Sequence, residues 1–384
     1  MKHKNFQPHL MLVVPSLEVA GGGRVAADIS GHWVQRGYRV SVLSGSEPST
    51  NASPLHPRVI HHSLHGVPSG RGGVTEKLAL FWRVRRLRRF MERERPTVVL
   101  ALSATGAVMA LRAARGMPCR VIAAEYTHPE LALLSPAWQS LRRRMYPKAW
   151  CVVAPTRSVR EWLDTHVPGC RLAVVPHAVC LPSSERAEPV VPPPERHGRY
   201  RLLAAGRLAH ESGFAVLLQA FAQLADYYPL WDLAIVGDGA GRQALIERSE
   251  QLGLSDRVIF PGDVGNMADW YGASDLYVLG SRQEASFDAL TAAMASGLPV
   301  VACDAGTWPG EIVRPGIDGS LVSPVEDPDA LAAYLSDLMG RPDKRENFAR
   351  RATDVRERFS VARVMRLWQS LFEQPFQDRW QRSK

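Results

Sequence analysis

The feature that most constrains this chain is a repeated alternation of short apolar runs with helical stretches. In the first half, such runs stand at residues 9–15, 38–43, 97–102, 119–124, 149–155 and 171–176. The first of them enters Gly21-Gly22-Gly23, then a helical pattern over 24–35 that Gly37 stops. Parallel strands need a crossover between them, and an amphipathic helix supplies it, so this order predicts a parallel sheet with helices on both faces. A second series begins at 201–207 and runs through a helix at 214–224, then strands at 231–236, 258–260, 275–279 and 298–302. Between the two series, residues 181–199 hold Pro182, Pro189, Pro192, Pro193 and Pro194, the composition of an interdomain linker. The expected fold is therefore α/β, with two Rossmann-like doubly wound domains facing a central cleft.

In open α/β sheets, ligands bind at the carboxyl ends of strands, so the loops there are the candidate sites. The stretch 281–297 (SRQEASFDALTAAMASG) lies between two strands and offers Glu284, followed by a small-residue helix. The first N–H groups of that helix are free to meet an anion. The loop 125–130 (EYTHPE) has the corresponding position after the strand at 119–124. The amino-terminal glycine turn is either a close approach to a ligand or only a tight turn. It lacks a full G-x-G-x-x-G and a following ribose-binding acid, so no dinucleotide site is expected. Residues 44–75, rich in Ser, Pro, Gly and His, are expected to form a long loop. His61, His62 and His65 in it have no suitably spaced Cys or carboxylate, so no metal site is expected.

The 384 residues are 46% hydrophobic with a mean hydropathy of −0.14, which suits packed cores in a soluble protein. The net charge of +9 is uneven. Residues 1–180 carry 25 Lys and Arg against 10 Asp and Glu, whereas residues 181–384 carry 22 against 28. A basic first half points to an anionic surface or substrate. Much of that charge sits in the helical stretch 78–94, where Leu80, Val84, Leu87 and Met91 fall at helical spacing among arginines, and in Arg142, Arg143, Arg144 and Lys148. The stretch 78–94 is either an ordinary surface helix or one that meets an anionic membrane surface. Nucleic acid is not an expected partner, since there are no stacking motifs or reader fold. Five cysteines without a C-x-x-C suggest reduced thiols in a cytoplasm. No apolar run is long enough for a signal peptide or a bilayer span, so the expected location is cytoplasmic, with the inner membrane face as a peripheral option.

The order of motifs resembles retaining glycosyltransferase family 4. It comprises G-G-G-R near the start, G-R-L-x-x-x-x-G at 206–213, V-G-D-G at 236–239, S-R-x-E at 281–284, A-M-A-S-G-L-P-V-V at 293–301, and the tail elements Asp318-Gly319, Leu321-Val322 and 356–360. The resemblance covers nearly the whole chain and implies the GT-B fold. It implies an amino-terminal acceptor-side domain over 1–184, a linker over 185–199, a nucleotide-sugar domain over 200–360, and a last helix over 361–384 that crosses back to the first domain. The implied activity is metal-independent hexosyl transfer. A sugar would move from a nucleotide-diphosphate sugar to a glycan or lipid-linked acceptor in surface polysaccharide or glycoconjugate synthesis, with no cofactor. On this resemblance Glu284, Arg207 and His128 are the catalytic candidates. Gly22, Gly23, Arg207, Ser212, Val264, Glu284, Ser286, Phe287 and Leu290 are the donor-binding candidates.

The chain departs from the family pattern after Glu284, where Ala285-Ser286-Phe287 replaces the usual G-F-P or G-F-G, and at two positions that matter more. Ser212 stands where a lysine joins Arg207 at the diphosphate, and Ala292 stands where a second glutamate grips the ribose. Each lost charge-assisted bond is worth about 1.5–3 kcal/mol. The departures leave a second expectation, a non-catalytic glycosyltransferase-like binding or partner protein.

Overall fold

The computed structural model describes residues 8–17, 22–46, 54–64, 73–130, 134–179, 188–209, 212–280, 287–304 and 308–373. The chain forms two compact units. Unit one holds residues 1–177 together with 364–384, and unit two holds 178–363.

Unit one is built on seven parallel strands: β1 (His9–Val14), β2 (Arg39–Ser44), β3 (Ile60–Ser63), β4 (Val98–Ala101), β5 (Arg120–Ala124), β6 (Cys151–Ala154) and β7 (Leu172–Val174). Their order in the sheet is β3-β2-β1-β4-β5-β6-β7. All six residues of β1 are buried, as a central strand covered on both faces requires. Met11 and Val13 enter one core with Leu87 and Met91 of the helix Gly73–Glu94 and with the helix Ala104–Ala113. The helix Val361–Glu373 presents Val364, Met365, Trp368, Leu371 and Phe372 on one buried face, at helical spacing. In unit one, Phe372 lies against the fully buried Trp33 with ring centroids 5.3 Å apart. The Phe372 carbonyl accepts from Arg120 Nη1 at 2.9 Å.

Unit two holds six parallel strands, β8 (Tyr200–Ala205), β9 (Trp231–Val236), β10 (Val258–Gly262), β11 (Leu276–Leu279), β12 (Val300–Cys303) and β13 (Gly319–Val322), in the order β10-β9-β8-β11-β12-β13. Along β8, Leu202 and Ala204 face a core with Leu217 and Phe221 of the helix Phe214–Leu224. Leu203 faces the opposite core with Trp270 and Met294. This alternation is the period of two that puts helices on both sides of the sheet.

One expectation changes, and two further stretches gain structural detail. Residues 44–75 are not one loop, because Ile60–Ser63 pairs in parallel with β2 as an edge strand and a helix starts at Gly73. That strand reads IHHS and is only partly buried, so it carries no apolar run to announce it. The motif residues Gly319, Leu321 and Val322 fall on β13, whose Gly319 packs closely on β12, where an added Cβ would lie 2.5 Å from Val300 Cγ2. The proline-rich residues 188–199 of the linker stretch are tied to the rest of unit two. Val191 N–H donates to Asn266 Oδ1 at 3.0 Å, its carbonyl accepts from Trp270 Nε1 at 2.8 Å, and Pro194 O accepts from Arg201 Nη2 at 2.7 Å. Proline carbonyls keep both lone pairs, so a segment poor in donors can still be tied down as an acceptor.

Candidate functional site

Both sheets reverse their winding at one place, β1 beside β4 in unit one and β8 beside β11 in unit two. The carboxyl ends of these strands are where a doubly wound sheet opens a crevice. Most of the candidate residues with described positions lie on loops at the carboxyl ends of their sheets.

In unit one, Gly22 opens the helix Gly22–Gln35, and Gly23 is buried in its first turn. A Cβ on Gly22 would lie 3.7 Å from the carbonyl of Leu102, just past β4, which places the turn at the winding reversal. His128 and Glu125 follow β5 and are both buried. Glu125 Oε1 accepts from Tyr146 Oη at 2.6 Å and lies 3.6 Å from Arg142 Nη1. Burial pushes the Glu125 carboxyl above the usual glutamate range, against the opposing pull of Tyr146 and Arg142. Burial likewise pushes His128 below the ordinary histidine value, with Glu130 acting in the opposite sense.

In unit two, three loops are laced together by backbone hydrogen bonds. Gly206 N donates to Val236 O at 3.0 Å, Leu208 N to Asp238 O at 2.9 Å, and Gly237 N to Gly262 O at 2.8 Å. Arg207 sits in the first of these loops with its side chain exposed. Among the described residues, no hydrogen bond or ion pair engages its guanidinium. By contrast, Arg199, Arg257 and Arg314 of the same unit are all tied to carboxylates.

The glycines of 236–239 have a steric purpose. Gly237 has φ of +128°, and a Cβ there would lie 2.0 Å from Gly206 O. A Cβ on Gly239 would lie 2.6 Å from Leu208 O. Sequence reasoning valued V-G-D-G as a family mark; the structure shows that it lets the loop bearing Arg207 close onto its neighbour.

Ser212 does not act as a shorter lysine. Its hydroxyl donates to Arg207 O at 2.6 Å, so it braces the turn that carries the arginine. Val264 is half-buried beside the Trp270 core, and the next residue, Gly265, donates its N–H to Pro189 O at 2.7 Å. Phe287 and Leu290 were expected at the donor, but their side chains are core residues. Phe287 meets Trp308 and Phe359 edge-on, with centroids 5.7 and 5.1 Å away. What they leave for a ligand is the backbone at the start of the helix Asp288–Ala295, whose first N–H groups have no in-helix acceptor. Ala292 is buried in that helix and brings no polar group. Glu284 and Ser286 lie outside the described residues, as does His65.

His61 is bonded to Ser44, with Nε2 and Oγ 2.9 Å apart, and His62 Nε2 accepts from Arg93 at 3.3 Å. No cluster of three potential metal ligands occurs among the described residues.

Comparison with known proteins gives this geometry a lineage. Residues 19–181 match the family model described as Glycosyltransferase Family 4, and residues 187–355 match the one described as Glycosyl transferases group 1. An exopolysaccharide phosphotransferase of Streptomyces coelicolor is 31% identical over 258 residues, which is 66% of this chain and 26% of that protein. A lipopolysaccharide core biosynthesis mannosyltransferase of Rhizobium meliloti is 34% identical over 142 residues, 34% of this chain and 40% of that protein. The chain thus spans less than half the length of these curated relatives. Among solved structures, a sucrose-phosphate synthase from Thermosynechococcus elongatus aligns with a TM-score of 0.79 at 17% identity, covering 95% of this chain and 99% of that one. The Anabaena protein HepE in complex with UDP aligns with a TM-score of 0.75 at 18% identity, covering 94% and 99%. At such identities the structural likeness speaks for the fold, and the matched family models speak for the lineage. The chain belongs to the family 4 glycosyltransferases and has their GT-B fold of two Rossmann-like domains.

Proposed function

We propose that this chain moves a sugar, with retention, from a nucleotide-diphosphate sugar to a glycan or lipid-linked acceptor of a surface polysaccharide or glycoconjugate. The observation that carries the reading is Arg207, an exposed guanidinium unengaged by the described residues, at the carboxyl end of β8 beside the winding reversal. Donor cleavage leaves negative charge on a departing diphosphate, and a planar guanidinium can take two phosphate oxygens at once. The backbone N–H groups opening the helix Asp288–Ala295 add donors of the same sign. In this reading the leaving group's charge is met by Arg207 and backbone rather than by a metal. Relatives that belong to exopolysaccharide and lipopolysaccharide synthesis support the acceptor class, and the UDP complex of HepE supports the donor class.

UDP should raise the melting temperature, by mass action worth about 2.7 kcal/mol at a hundredfold excess over Kd. Arg207→Gln should weaken UDP binding by about 10- to 150-fold, the worth of one charge-assisted hydrogen bond. Absence of any shift with UDP and GDP at millimolar concentration would sink the reading. A second reading, a binding protein without turnover, is favoured by the Ser212 hydroxyl being committed to its own turn. UDP binding without transfer or hydrolysis of any UDP-sugar would establish it.

The acceptor side includes a membrane contact in this proposal. Leu78, Phe81 and Trp82 are 54%, 55% and 53% exposed on the helix Gly73–Glu94, while Leu87 and Met91 are buried. The exposed Arg85 and Arg89 continue that face. Apolar anchors followed by cations suit an anionic bilayer surface, with each basic residue adding about 1 kcal/mol. No helix among the described residues is long and apolar enough to cross a membrane. The protein should co-sediment with phosphatidylglycerol vesicles at low salt and detach as salt rises. Trp82→Ala should weaken binding even at low salt; equal binding by wild type and variant would remove this helix from the contact.

A further inference from the structure

The loop carrying His128 is held at both ends by side chains of neighbouring helices, and one tryptophan links the two holds. At its start, Glu125 receives the Tyr146 hydroxyl at 2.6 Å. At its end, Glu130 Oε1 accepts from Trp162 Nε1 at 2.9 Å, on the helix Arg157–His166. Between them lies Arg142, whose guanidinium carbon is 4.7 Å from the Trp162 ring centre and whose Nη1 is 3.6 Å from Glu125. Arg142 is 1% exposed, and its Nε and Nη1 make no hydrogen bond among the described residues. Its place is therefore set by the aromatic face and the carboxylate rather than by directional bonds. Trp162 also stacks on His166, with centroids 4.3 Å apart and planes 10° from parallel. The His128 ring meets the Trp162 edge at 6.4 Å and 72°.

His128 itself is oriented by the backbone of this loop. The Glu130 N–H donates to His128 Nδ1 at 3.4 Å. A ring nitrogen that accepts carries no proton, so the neutral imidazole bears its hydrogen on Nε2. Glu130 thus has two tasks: its N–H selects the tautomer, and its carboxylate pins that N–H in place through Trp162.

We propose that Trp162 and Glu130 are positioning residues that fix His128 as a neutral Nε2–H donor, a form suited to a hydroxyl or phosphate oxygen of a substrate and not to accepting a proton at Nε2. The substrate part rests on the reading that His128 belongs to the transfer site. The positioning part is tested on the ligand-free chain, so its failure is distinguishable from a failure to bind UDP. Burial keeps the ring neutral, Glu130 opposes that effect, and His166 reinforces it.

The experiment is long-range proton–nitrogen correlation on the full chain labelled at histidine, with His128→Gln assigning the signals. Wild type should show His128 as the Nε2–H tautomer with a midpoint below about 6.5. Glu130 is exposed, so its variants leave the core intact. Glu130→Ala should shift the tautomer ratio by roughly fivefold, the effect of one neutral hydrogen bond. Glu130→Gln removes the same charge but keeps the acceptor, and it should preserve the wild-type tautomer. Trp162→Phe should reproduce the alanine result. Identical tautomer ratios in wild type, Glu130→Ala and Trp162→Phe would overturn the proposal, as would equal shifts in Glu130→Ala and Glu130→Gln.

Discussion

A Gly237→Ala chain is expected to lose about 2–6 kcal/mol of unit-two stability, and with it the stabilisation by UDP. Two costs combine. The backbone at Gly237 has φ of +128°, a conformation that L side chains avoid, and holding alanine there costs about 1–3 kcal/mol. The new methyl would also fall 2.0 Å from Gly206 O, a contact with backbone that no rotamer can relieve. Moving the strand-end loops apart to make room is an overpacking cost of about 1–3 kcal/mol. The loop that must move is the one bearing Arg207, so the damage reaches the proposed phosphate contact. Gly253→Ala is the control: its φ is +71°, and nothing lies within 4 Å of the added methyl. It should pay strain alone and keep the UDP shift. Thermal and urea melts with and without UDP separate the two variants; a Gly237→Ala chain melting like wild type would show that the loops are not packed as described.

Acid should destabilise unit one through His177 by about 2 kcal/mol at pH 5 and about 4–5 kcal/mol at pH 3. His177 is buried, stacks on Tyr126 with centroids 4.3 Å apart, and has its pKa pushed down by burial to about 3. In the unfolded chain it titrates near 6.5. The folded pKa is the lower one, so unfolding takes up a proton between the two values. The contribution is fully present above about pH 6.5 and is lost progressively as pH falls toward 3. His9, His32, His61 and His62 are also pushed down by burial and add slope of the same sign. A comparison with His177→Phe isolates the one residue, because phenylalanine keeps an aromatic ring on Tyr126 and cannot titrate. The wild-type curve of unfolding free energy against pH should be the steeper of the two below pH 6.5. Parallel curves would mean that His177 is protonated in the folded chain.

What could be foreseen from the amino acids follows how each feature is encoded. Central strands such as VVLA at β4 and CVVA at β6 are apolar throughout, because both of their faces are covered, and they stand out as runs. β3 carries two histidines at a sheet edge and has no such run. The placement of the glycine loops and Arg207 at strand ends was legible since it is local in sequence. The bracing of Arg207 by Ser212 was not, because a serine in place of a lysine looks like a loss until its hydroxyl is seen to donate to the turn. Phe287 and Leu290 stand out in the sequence by their place in a motif, and the burial of their apolar side chains in the core shows only in the structure. The contacts among Glu125, Arg142, Tyr146 and Trp162 join residues spread over about forty positions. No periodicity carries that signal.

The helix Val361–Glu373 bears on how the protein is made. Its residues from Val364 onward belong to unit one, so that unit consists of two pieces with all of unit two encoded between them. On the ribosome, unit two emerges whole, while Trp33 and its neighbours wait for Phe372 to be translated. During that interval the side of Trp33 that meets Phe372 is uncovered. Unit two, contiguous in sequence, can complete its own fold before the unit that began synthesis first.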